Sequence, residues 1–146
     1  MIASLTLFGL IFSVAGEVVT PPAEEVKRLS LEGHYQKFIT IEGFPIVASG
    51  KVADEALFEA VYLADQMIGH RPDILEAMSK NKVRLAIIAT DELTTDIPGH
   101  ATLEPKIYGD KRARGLGASN ARPAVSAGDE IGSISAPEKD RRVIIK

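Results

Sequence analysis

The sequence predicts an α/β fold: a small sheet with a central apolar strand, packed by one long and one short helix. Three observations predict it. Val83-Arg84-Leu85-Ala86-Ile87-Ile88-Ala89 alternates with Val83, Leu85 and Ile87 on one face and Ala86 and Ile88 on the other. Both faces are apolar, as in a strand covered from two sides. Leu57, Ala60, Val61, Ala64 and Ile68 recur at helical steps, the pattern of a stripe turned to a core. The order strand, helix, helix, strand then favours a parallel pair joined by a right-handed crossover.

Residues 1–16, MIASLTLFGLIFSVAG, read as a signal peptide. Leu5 to Val14 is an apolar run too short to span a bilayer. Ser13 and Ala15 put small residues at the −3 and −1 positions of a cleavage site. The alternative is a buried N-terminal strand or helix. A leader implies a secreted or periplasmic protein, with no membrane association after cleavage. Residues 17–33 form a linker or short helix, with Thr20-Pro21-Pro22 as the exit and Val26 and Leu29 on one side of Glu24 to Leu31.

The α/β core is expected over residues 34–98. Tyr35 to Ile41 reads as a strand, rich in aromatic and β-branched residues. Glu42-Gly43 turns the chain, and Phe44 to Ala48 resumes in extended form. Pro45 lacks an N–H, which places this segment at a sheet edge or just before pairing begins. Asp54 is the expected N-cap of the long helix, with Phe58, Tyr62 and Met67 widening its apolar stripe and Gly69-His70 near its end. Pro72 suits the first turn of the short helix, whose apolar side is Ile74, Leu75 and Met78. Residues 99–146 are expected to be irregular, loop-rich and incomplete, because RARGLGASNARPAVSAGDE shows neither helical nor strand spacing.

Composition removes several functions. The chain has 146 residues, a net charge of −3, no cysteine and no tryptophan. The absence of cysteine excludes disulfides, thiolate zinc sites and a cysteine nucleophile. The charge gives no sign of nucleic-acid binding.

Chemistry is sparse. His34, His70 and His100 are far apart in sequence, with no pair one helical turn apart to seed a metal site. They read as surface or capping residues. Asp91, Glu92 and Asp96 follow the central strand, at the end where α/β folds place sites. A carboxylate pair there could serve acid/base chemistry. The simpler reading is a solvated loop in which Asp96 closes a side-chain-to-backbone turn. Gly115-Leu116-Gly117 fails as a dinucleotide fingerprint, since position 120 is Asn120. Lys111, Arg112, Arg114 and Arg122 read as a solvated basic loop. Ser119 and Ser126 lack the strand–turn–helix context of a nucleophile.

Ile46-Val47-Ala48-Ser49, His70-Arg71-Pro72-Asp73, Thr94-Thr95-Asp96-Ile97-Pro98, Arg112-Ala113-Arg114-Gly115-Leu116-Gly117 and Arg122-Pro123 together resemble secreted zincin-like metallopeptidase-related proteins. The similarity runs from about Tyr35 to Glu130. It implies the upstream half of a zincin domain, in which the Arg-Gly-Leu-Gly loop leads through an acidic stretch to a His-Glu-x-x-His helix. In such a helix two histidines bind zinc and the glutamate activates water. No histidine follows His100 here, so no catalytic, cofactor-binding or metal residue is carried over, and zinc is expected only in a longer family member.

The chain then reads as a truncated or frame-altered piece, or as a shortened relative. Two functions remain. One is the N-terminal portion of a metallopeptidase-related domain, inactive alone. The other is a complete non-enzymatic secreted binding domain using the 91–130 region, with Asp91, Glu92, Asp96, Arg112, Arg114, Arg122 and Glu130 as the candidate functional loop. The partner is unknown in either case.

Overall fold

A computed structural model describes residues 16–31, 33–107, 110 and 115–129. The fold is α/β, and the described residues form a four-stranded sheet with the three α-helices detailed below. The proposed signal peptide, apart from Gly16, lies outside the described residues, as do Arg112, Arg114 and Glu130. No described helix is long and apolar enough to cross a membrane.

The sheet is built in chain order. β1 (Lys37–Ile41) and β2 (Phe44–Ala48) form an antiparallel hairpin. Its turn needs two left-handed residues, Glu42 at φ 46° and Gly43 at φ 78°. Positive φ at both central positions matches the twist of the flanking strands. β3 (Arg84–Ile88) pairs parallel to β2, and β4 (Ala124–Gly128) parallel to β3, giving the order β1-β2-β3-β4.

β2 is therefore internal, not an edge strand. Pro45 is tolerated because the parallel register with β3 starts only at Ile46. Toward β1 it costs nothing either. Phe38 exchanges both its backbone bonds with Val19 on the outer side, so by alternation Thr40 and Pro45 face each other as a non-bonded pair.

Two helices link β2 to β3. α2 spans Asp54–Ala64 and passes into a wider π turn over Asp65–Gly69. α3 spans Pro72–Lys80, with Pro72 in its first turn. Asp54 is not the cap. Ala53 holds that position, and Asp54 is the first helical residue, where its carboxylate meets the positive end of the helix dipole and accepts a hydrogen bond from Lys37 Nζ.

The expected stripe packs on the sheet: Leu57 and Ala60 are buried, and Val61, Ala64 and Ile68 lie against them. Phe58, Tyr62 and Met67 do not widen it. They are 43%, 57% and 56% exposed, because the sheet covers only one side of the helix.

The alternation in β3 has a direct structural meaning. Ile87 joins Ile39, Ile46, Leu57 and Leu75 in the core under α2 and α3. Ala86 and Ile88 join Phe38, Val47 and Ile97 on the opposite face. That second core is closed by Leu29, the last residue of α1 (Ala23–Leu29), with Leu31 and Tyr35.

β4 corrects the expectation of an irregular C-terminal segment. The glycine-rich loop folds back on itself: Leu116 and Ser126 form an antiparallel bridge, and Ser119 and Arg122 close a tight turn. Ala-Val-Ser-Ala-Gly has weak strand propensity. It is held by five register pairs with β3 on one side and by Leu116 on the other.

Candidate functional site

β2, β3 and β4 run parallel, so their carboxyl ends open on one edge of the sheet, the usual location of sites in open α/β folds. Ser49, Gly50 and Lys51 leave β2 there. Ala89 to Glu92 leave β3, and Asp129 leaves β4. Asp129 donates its backbone N–H to the Ile88 carbonyl at 2.7 Å, extending the ladder by one residue.

Three expected acidic residues have three different settings. Glu92 is 4% exposed, not solvated. Its Oε2 accepts the Ala89 backbone N–H at 2.9 Å. That bond fixes the tight turn after β3 and satisfies a charge that would be costly to bury unpaired. His34 Nε2 lies 3.8 Å from Glu92 Oε1, an ion-pair distance but too long for a hydrogen bond. Asp96 is exposed and accepts the Leu93 N–H at 2.8 Å, the side-chain turn expected of it. Asp91 points outward and pairs with Lys51 at 3.0 Å.

Lys51 organises the charge at this edge. Its pKa is raised, first by the hydrogen bond to Asp91 and then by the Asp91 charge, with smaller contributions from Glu92 and Asp96. Asp91 is lowered chiefly by the same hydrogen bond. The ammonium thus sits in the field of all three carboxylates. Ser49 is 5% exposed, and its Oγ accepts the Lys51 backbone N–H at 3.3 Å.

Ser49, Lys51, His34 and Asp129 were absent from the sequence-derived site. Lys51 and Asp91 are 40 residues apart in the chain. The available signal was that Ser-Gly-Lys and Asp-Glu each follow a strand, and parallel pairing brings both strand ends to one edge.

Arg122, the one described arginine of the expected basic loop, lies elsewhere. It precedes β4, and so belongs to the opposite end of the sheet from Asp91 and Glu92. Ser119 receives the Arg122 N–H through its carbonyl at 3.0 Å and its hydroxyl at 3.2 Å. The Ser126 hydroxyl accepts the Leu116 N–H at 3.1 Å. Both serines stabilise the loop.

The histidines are dispersed. His34 is beside Glu92, and His70 is exposed just after the π turn. His100 is 2% exposed, neither surface nor capping, because the 3₁₀ turns at 94–96 and 98–100 carry the chain back against the start of β3 and β4. Among the described residues no three His, Asp or Glu side chains gather as metal ligands would. Comparison with protein-family models, curated proteins and solved structures found no match.

Proposed function

We propose that this chain is a non-catalytic domain related to the zincin-like metallopeptidases, and that its working surface is the carboxyl end of the sheet. The dispersal of His34, His70 and His100 to three separate places supports the lack of catalysis, while the relationship rests on the sequence resemblance. Catalytic zinc needs about three protein ligands around one point, with positioned partners behind them. Of the described carboxylates at this end of the sheet, Glu92 is tied to the backbone and Asp91 to Lys51.

The edge formed by Lys51, Asp91 and Asp96, with Glu92 buried beneath it, supports the second part, because it presents charge of both signs on a rigid scaffold. A non-enzymatic binding domain using the 91–130 region is the alternative reading, favoured by the same edge. On either reading the protein is secreted or periplasmic, as its leader-like N-terminus implies.

Metal content and peptidase activity test the proposal together. Purified protein passed through gel filtration is expected to hold substoichiometric zinc and to hydrolyse no peptide. About one zinc per chain, with chelator-sensitive activity lost in His34→Ala, would overturn it.

A further inference from the structure

At the amino end of β3 and β4, away from the proposed working surface, the described residues place three nitrogen-bearing side chains without an acid. Arg84, the first residue of β3, is 6% exposed. Its guanidinium has one long hydrogen bond, from Nη1 to the Leu29 carbonyl at 3.5 Å, and its Nε has no partner. His100 is 2% exposed, and neither ring nitrogen is hydrogen-bonded. Arg122, half-buried, lies two residues before β4 and next in the chain to Pro123, whose carbonyl accepts the Arg84 backbone N–H at 3.1 Å.

Backbone geometry brings the three together. Arg84 donates its backbone N–H to Pro123 and pairs in register with Ala124. A Cβ placed on Gly99 would be 2.6 Å from the Ala124 Cβ and 3.5 Å from Arg84 Nη2. His100 is the next residue. No carboxylate forms an ion pair with Arg84 or Arg122 among the described residues.

A buried cation lacking a counter-charge is costly, and a buried unsatisfied donor points to something that completes it. We propose that Arg84, His100 and Arg122 form a binding site for a small oxyanion of the phosphate, sulfate or carboxylate class. The two guanidiniums supply charge and paired N–H donors, a geometry that suits tetrahedral and carboxylate oxygens. The imidazole supplies one N–H. Arg122, half-buried at the rim, is the side of entry.

The protonation of His100 supports the choice of an anion. Burial holds its pKa below the usual histidine value, with the Arg122 and Arg84 charges adding to the effect and the adjacent Gly99 backbone opposing it, too poorly aligned to satisfy either ring nitrogen. The charges acting on it are both positive, and a bound anion would offset them.

Thermal unfolding of the full chain in sodium sulfate, sodium phosphate or sodium acetate, each against sodium chloride of equal ionic strength, tests this. Sulfate is the main probe because its charge is constant across neutral pH. For a dissociation constant of about 1 mM, 10 mM sulfate raises Tm by about 3 to 6 °C at this chain size. The rise saturates, and Arg122→Gln, a partly exposed change compatible with folding, lowers the apparent affinity at least about tenfold, or about 1.4 kcal/mol. Arg84→Met abolishes the sulfate-dependent rise, and His100→Gln, which weakens it, serves in its place should Arg84→Met fail to fold. The His100 ring resonances shift over the same sulfate range. The relative effects of phosphate, sulfate and acetate assign the anion class. Equal Tm in sulfate and chloride, a rise that Arg122→Gln leaves intact, or His100 resonances that do not respond would overturn the proposal.

Discussion

Replacing Leu57 by Ala removes the side chain that joins the long helix to the sheet. Leu57 is 0% exposed and belongs to one cluster with Ile39, Ile46, Leu75 and Ile87. The substitution deletes three carbons. At about 0.8 kcal/mol for each buried CH2, the lost transfer energy is about 2.4 kcal/mol. A cavity term adds to it, because the sheet beneath is hydrogen-bonded and α2 is held at its far end by the π turn, so neither collapses fully. The expected loss is about 3–4 kcal/mol, within the range for Leu→Ala in packed cores. Urea unfolding followed by circular dichroism should show the midpoint falling with an unchanged slope, and Tm should drop by about 6–16 °C. Tyr62→Ala on the same helix is the control. Tyr62 is 57% exposed, and its loss should stay within about 0.5 kcal/mol. A Leu57→Ala loss below about 1 kcal/mol, or a Tyr62→Ala loss as large as that of Leu57→Ala, would mean that α2 packs by another face.

Gly99→Ala should destabilise by about 1–3 kcal/mol, the usual cost of overpacking, because its Cβ would stand 2.6 Å from the Ala124 Cβ. Ala124→Gly in the same chain should recover most of that loss, and a double-mutant cycle with no coupling would show that the 98–100 turn does not touch β4. The Lys51–Asp91 pair should contribute across the neutral range and fail at both extremes. Asp91 is lowered, so its contribution is present above its unfolded pKa and lost as pH falls through the depressed value. Lys51 is raised, so its contribution is present below its unfolded pKa and lost as pH rises through the elevated value. In Lys51→Ala the Asp91 carboxyl midpoint, followed by NMR, should move up, and high salt should move it the same way in the parent chain. An unchanged midpoint would remove Lys51 from the site.

The elements most legible in the sequence were those with strong local periodicity. β3 showed itself through two apolar faces, α2 through its three- and four-residue steps, and the β1–β2 turn through Glu42-Gly43. β4 had no such signal. Ala124-Val125-Ser126-Ala127-Gly128 is short and small, and its strand state comes from partners distant in sequence, β3 and Leu116. The site divided in the same way. Asp91, Glu92 and Asp96 were visible because they follow a recognisable strand. Lys51 and His34 were not, because only the parallel pairing of β2 and β3 and the packing around Tyr35 bring them to those carboxylates.

The sequence by itself determined the α/β class, the central place of β3 and the helical face that meets the sheet. Each of these follows from side-chain periodicity, which a residue carries with its near neighbours. Tertiary structure decided the order of the strands, the internal position of β2 despite Pro45, and the fates of the charged residues. It buried Glu92 beside His34, set Lys51 on Asp91, and took Arg84 and His100 out of solvent. Burial and charge partnership depend on which distant segments share a strand end, and no local pattern encodes that.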